Sequence, residues 1–251
     1  MIILGRFGRI LFSLAIIGIG VETLICTNVS GQKIVPVIPW LAAIPALVYP
    51  VGVIFVLCGA GFLFRRTLMT SSITLGVVML LSALVFDVPR HFDLMSAPWR
   101  TNVLEPIVIG CLGLLAPGDV PKWLGRTSRY LIAFALVVFG IAHFQILTPI
   151  AGMVPTWIPW PLFWTLFFGV VFVAAGVSFA TGFLQRCAAS GIGLMFALWL
   201  LTIHLAPVLH APHDPDKWSN VFIVAALWGG FWMIAPNLRG RKDLCSEPDS
   251  N

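Results

Sequence analysis

The sequence predicts an all-α integral membrane protein, with eight transmembrane helices built as two parallel four-helix repeats and both termini in the cytoplasm. Composition is the first of three supporting observations. Hydrophobic residues make up 59% of the 251-residue chain and charged residues only 10%, and the mean hydropathy is +0.98. A soluble domain carries about a quarter charged residues. The second observation is internal similarity. Ile38-Pro39-Trp40 returns as Ile158-Pro159-Trp160, Gly5-Arg6 as Gly125-Arg126, Arg9 as Arg129 and Gly20 as Gly140. Gly52 and Gly59 return as Gly169 and Gly176, and Trp99, Asn102-Val103 and Ala116-Pro117 as Trp218, Asn220-Val221 and Ala235-Pro236. A repeat over nearly the whole length sets the architecture before any local signal does. The third observation is the placement of the cations, taken up below.

A helix that spans the bilayer needs about 20 mainly apolar residues. In the first repeat (1–120) the apolar runs are 9–27, 46–64, 68–88 and 102–116; in the second (121–238) they are 128–147, 162–183, 187–206 and 220–236. Residues 239–251 are left as a cytoplasmic tail, too polar to pack and expected to be disordered. The first run, preceded by Arg6 and Arg9, has the look of a signal peptide. No small-x-small cleavage site follows it, and it matches the internal segment around Tyr130–Leu147, so it is expected to be a retained span. The fourth run is short and contains Pro106. Between the first and second spans of each repeat lies a Pro/Trp-rich segment, Ile34–Trp40 and Met153–Pro161. It is too short and too broken by proline to cross. Tryptophan favours the headgroup level, so this segment is either a simple anchor or a flap over a pocket reached from the lipid.

Arg6, Arg9, Arg65, Arg66, Lys122, Arg126, Arg129, Arg186, Arg239, Arg241 and Lys242 fall at the termini and in alternate loops. Only Lys33, Arg90, Arg100 and Lys217 fall on the other side. The positive-inside rule places the first group in the cytoplasm, and an even number of spans requires the same. The net charge of +5 is therefore a topology signal, and no nucleic-acid partner is expected. Four helices return the chain to its starting side. The two repeats then share one orientation, related by an axis along the membrane normal rather than by an in-plane axis.

Ionisable groups inside a bilayer are costly and mark function by default. Here they gather toward the outer side. Glu22 lies about 20 Å above Arg9 and His143 about 21 Å above Arg129, with His204 about 25 Å above Cys187. Asp87 precedes Pro89 much as His204 precedes Pro207, so carboxylates stand in the first repeat roughly where imidazoles stand in the second. Three roles compete for His143 and His204: axial ligands of a b-type haem, partners and proton shuttles for a quinone head group, or interhelical hydrogen bonds that fix packing. Equal depth is necessary for haem but far from sufficient, so haem is disfavoured. Asn102-Val103-Leu104-Glu105 has the spacing of a capping box at the start of the fourth helix. The loop holding His210, His213, Asp214 and Asp216 groups ligand-type residues, but such proline-rich loops are usually solvated, and no metal is assigned. Local ion pairing explains Asp87, Arg90, His91 and Asp93. The five cysteines include no C-x-x-C pair, which argues against an intrinsic thiol-oxidase mechanism. Ala15, Gly18 and Glu22, Gly52 and Gly59, Gly169 and Gly176, and Gly191 and Gly193 form small-residue tracks for close helix approach.

Gly140-Ile141-Ala142-His143-Phe144, then Val154-Pro155-Thr156-Trp157-Ile158-Pro159, then a glycine-bearing helix and Arg186-Cys187-Ala188-Ala189, resemble the DoxX family of small four-helix bacterial membrane proteins. The second repeat carries the likeness, and the first is a degenerate copy with Thr23 at the aligned histidine. The chain thus looks like a tandem-duplicated DoxX-like (DoxX/DoxD) protein. The resemblance implies a multi-pass protein of the bacterial inner (plasma) membrane. It also implies a role beside thiosulfate:quinone or thiol redox assemblies, with a soluble or membrane oxidoreductase as partner. It supports His143, Pro155, Trp157 and Arg186 as family-pattern residues. The leading expectation is a redox-associated subunit that binds quinone or another lipophilic molecule near the outer leaflet. His143, His204 and Trp157 would contact it, with Glu22 and Asp87 as proton acceptors. A small-solute or lipid transporter and a non-catalytic scaffold are the alternatives; whether the chain is itself an enzyme stays open.

Overall fold

The computed structural model describes residues 1–25, 48–84 and 97–238, with only the backbone of 97–102. The Pro/Trp-rich segment 34–40, residues 85–96 including Asp87, and residues 239–251 lie outside the described residues. All regular structure among the described residues is helical: α1 (Ile2–Ile25), α2 (Val48–Leu63), α3 (Leu68–Ser82), α4 (Ala97–Leu115), α5 (Lys122–Gln145), α6 (Leu147–Ala151), α7 (Pro161–Thr181), α8 (Gln185–Trp199), α9 (Leu205–His210) and α10 (Pro215–Ile234). A π-helical turn, Leu200–His204, joins α8 to α9, so that Gln185–His210 is one continuous segment. Five segments are long and apolar enough to cross a membrane: Ile2–Ile25, Lys122–Gln145, Pro161–Thr181, Gln185–His210 and Pro215–Asn237. Three shorter apolar helices accompany them, Val48–Leu63, Leu68–Ser82 and Val103–Leu115.

In sequence order the long helices pack each against the next, except that α6 lies against α5 and α7, and α10 returns to α1 to close the ring. Helices α4 and α10 also meet each other across the middle. The core is aromatic and aliphatic, with Phe12, Phe55, Phe62, Phe172, Phe179 and Phe231 fully enclosed. Outside, Leu14, Leu57, Val77, Phe134, Val170 and Leu201 are exposed on successive helices. Helices whose outer faces are as apolar as their inner faces belong in lipid, where every backbone polar group must be bonded within the segment. The molecule is thus a helical, multi-pass membrane protein.

Glycine sets how near the helices come. A Cβ at Gly20 would lie 2.7 Å from the Gly52 carbonyl oxygen, and one at Gly140 would lie 2.7 Å from that of Gly169. The same relation holds one track further along, between Gly59 and the Ser13 carbonyl and between Gly176 and the Ala133 carbonyl. At the ring closure, a Cβ on Gly8 would sit 2.5 Å from the backbone nitrogen of Met233, and one on Gly229 the same distance from that of Phe12. At the corresponding places between α4 and α5 stand Ser128 and Cys111, whose side chains hydrogen-bond each other.

The basic end of the bundle is also tied together. Gly5 abuts Pro236, and the Arg186 guanidinium donates to the Leu238 carbonyl at 2.8 Å and 3.2 Å and to that of Pro236 at 3.4 Å. Asn237 donates to the Ala116 carbonyl at 3.5 Å. At this end Arg186 serves as a clamp on the C-terminal carbonyls of the last helix, which carry partial negative charge.

Candidate functional site

Beyond Phe139, away from the basic end, α5, α7, α8 and α10 part around a cavity of about 700 Å³. That volume lies within the range of about 300–1,000 Å³ usual for small-molecule sites. Two local departures open it. The first is the π turn at Leu200–His204, which inserts an extra residue and brings Thr202, Ile203 and His204 onto the cavity side. Such insertions cost helix stability and recur at functional sites. The same winding begins at Ala83–Leu84 after α3. The second is the segment after α5. Helix α6 and the turns that follow lay Ile150, Met153, Val154, Pro155 and Ile158 along the cavity. The chain reverses at Trp160, with φ at +58°, into α7, which begins on Pro161. The Trp164 indole N–H holds the segment by donating to the Pro159 carbonyl at 3.0 Å. The Met153–Pro161 segment is therefore a wall of a pocket.

Aromatic rings line the interior. Trp199 meets Phe168, Phe172 and Phe196 edge-on at centroid distances of 5.5, 5.8 and 5.8 Å, and stacks on the His143 imidazole at 5.9 Å with 23° between the planes. Phe172 in turn flanks His143 at 5.2 Å. Edge-to-face packing of this kind holds each ring in one orientation.

Two polar atoms in this lining have no hydrogen-bond partner among the described residues: His143 Nε2 and Trp199 Nε1. His143 is only 7% exposed. Its Nδ1 lies 2.7 Å from the Phe139 carbonyl oxygen. A carbonyl accepts only, so the proton sits on Nδ1, and Nε2 of the neutral ring is an acceptor. Trp199 Nε1 is a donor only. The hydroxyls of Thr165 and Thr202 point into their own helices, donating to Pro161 at 2.9 Å and Leu198 at 2.7 Å. The cavity thus holds, among its rings, one buried acceptor and one buried donor left without a partner among the described residues.

Of the residues picked from sequence, His143 and His204 both line the cavity, as does Pro155. Trp157 does not; its ring is 71% exposed on the outer face of the flap. Glu22 lies on a neighbouring face, where its carboxylate accepts from the buried Ser219 hydroxyl and joins α1 to α10. Asn220, one residue on, turns to the cavity. Glu105 was expected to cap a helix start at Asn102. Helix α4 instead begins at Ala97, so Asn102 is interior and Glu105 lines the cavity. The loop aspartate Asp214 caps α10, accepting from the Asp216 N–H at 3.0 Å, and pairs with Lys217 at 3.8 Å.

Sequence reasoning missed Trp199, Phe168, Phe172 and Phe196. An aromatic in an apolar helix reads the same whether it faces core, lipid or ligand. Nothing local marked these four except that Trp199 stands five residues before His204. At the matching positions of the first half, Thr23 stands for His143 and Ser82 for Trp199, both buried. Thr23 donates to the Ile19 carbonyl at 2.7 Å, the same fourth-residue-back partner that His143 takes.

Comparison with family models, with curated proteins and with solved structures gives no match.

Proposed function

We infer that the chain is a duplicated, eight-span membrane subunit that binds a quinone or a similar ring-bearing lipophilic molecule for a partner oxidoreductase. The carrying observation is the pairing of an unsatisfied acceptor, His143 Nε2, with an unsatisfied donor, Trp199 Nε1, in a cavity lined mainly by rings and aliphatic groups, with Glu105, His204 and Asn220 also on its wall. Burying such atoms unpaired costs about 1–3 kcal/mol each, and a ligand with oxygen substituents on an apolar ring removes that cost. Aromatic walls suit a flat ring, and a flap at the headgroup level suits entry from lipid rather than from water.

The two-repeat reading is supported by the paired glycine contacts, Gly20–Gly52 with Gly140–Gly169, and by the likeness of the α1–α2 and α5–α7 pairings. The three shorter helices are the remaining spans on this reading. The clustering of cations at the end opposite the cavity supports a topology with both termini in the cytoplasm and the cavity toward the outer leaflet. The motif around His143 and Pro155 that resembles the DoxX family points to a bacterial inner membrane and to a redox assembly.

The test is purification in mild detergent followed by mass spectrometry of the extracted lipid. A ring-bearing redox lipid recovered near one per chain, and lost from a cavity-filling Val224→Phe variant that still elutes as folded protein, is the expected result. Bulk phospholipid alone in both preparations would overturn the proposal.

A further inference from the structure

We propose that the cavity selects its ligand by a hydroxyl group, and so holds the reduced, hydroquinone form of a ring lipid in preference to the oxidised quinone. This rests on the binding role inferred above and specifies its chemistry.

The argument starts from the tautomer. The Phe139 carbonyl fixes the proton on His143 Nδ1, leaving a lone pair on Nε2. A quinone carbonyl also presents only lone pairs. Placed at Nε2 it would face acceptor to acceptor, unless the imidazole took up a second proton; the rings against it among the described residues are Phe172 and Trp199, and the one carboxylate on the cavity wall among them is that of Glu105. A hydroquinone O–H donates to Nε2 directly. Its oxygen keeps lone pairs, and these accept from the Trp199 N–H. The two rings lie nearly parallel at 5.9 Å, so one hydroxyl, or a hydroxyl with an adjacent ring oxygen, serves both. The donor and acceptor left over by the protein are thus the complement of a phenolic hydroxyl. The first half has lost this discrimination, since Thr23 and Ser82 replace both groups.

The experiment compares three short-tailed ligands with the purified protein under anaerobic conditions by calorimetry: a benzoquinol, its benzoquinone, and the quinol dimethyl ether. The ether keeps both ring oxygens as acceptors but has no O–H. The quinol is expected to bind at least tenfold more tightly than either; His143→Leu is expected to shrink that preference to less than threefold, whereas Trp199→Phe is expected to weaken all three, since every ligand oxygen can accept from that N–H. Equal binding of all three, or tighter binding of the quinone, overturns the hydroxyl selection while leaving the binding role standing. Failure of all three to bind overturns the binding role itself. Because the comparison is made first on the unaltered protein, it stands even if a variant does not fold.

Discussion

At the residue scale, two basic side chains that stand out in the sequence do different work at the two ends of the bundle. His143 is buried with one nitrogen tied to its own helix and the other turned to the cavity. Arg186, which the sequence marks equally strongly, never approaches the cavity and binds the terminal carbonyls of Pro236 and Leu238. Arg186→Ala should therefore lower stability by about 1.5–3 kcal/mol, the range for hydrogen bonds from a charged group. Thermal unfolding in detergent reads this as a drop of several degrees, with ligand affinity unchanged. Lost affinity at unchanged melting temperature would contradict the clamp. His143 and His204 were legible in the sequence because a titratable group in an apolar helix has no cheap structural excuse. Glu105 was misread because Asn-x-x-Glu fits a helix start, and the true start at Ala97 lies before a proline, Pro98, with no such signature.

At the scale of elements, spacing between helices is decided by what lies at the crossing. Gly8 and Gly229 let the backbones of α1 and α10 touch, whereas the α4–α5 crossing carries the side chains of Cys111 and Ser128, hydrogen-bonded to each other. Gly8→Val must drive the two helices apart and should destabilise by about 1–3 kcal/mol, as overpacking does. Gly191 faces open space, so Gly191→Ala should be neutral or raise the melting temperature slightly through helix propensity. Similar melting shifts for the two variants would contradict this picture. Apolar length made the helices legible, and matched glycines made their pairing legible. The close approach at Gly8 was not, because Gly8 lies among arginines at the head of its run and its repeat partner is a serine. Nor was the π turn, since hydropathy does not register one extra residue per turn.

For the molecule as a whole, the two halves of the chain share features of one frame but have unlike interiors. Each half supplies paired glycines and a buried pair of phenylalanines, Phe55 and Phe62 in one and Phe172 and Phe179 in the other. Among the described residues, only the second half places an imidazole against an indole. The cavity is nevertheless shared, because α4 of the first half contributes Glu105 to it. The sequence comparison could locate the asymmetry but not this crossing, which depends on α4 meeting α5 and α10 in space.

The contact of Gly5 with Pro236 has a consequence for the order of the chain itself. Helices arranged in a closed ring have no structural beginning: the joint between α10 and α1 is as well packed as any inside the chain, and the turn at Gly118–Pro121 lies at the same end. A short flexible linker from residue 238 to residue 1, with the chain reopened between Gly118 and Lys122, should give a circular permutant that folds. Monodisperse elution and a melting temperature within a few degrees of the parent would show it. The second half would then be made first and inserted first, and the site would still assemble, since what defines this protein is adjacency around the ring and not the direction in which it is read.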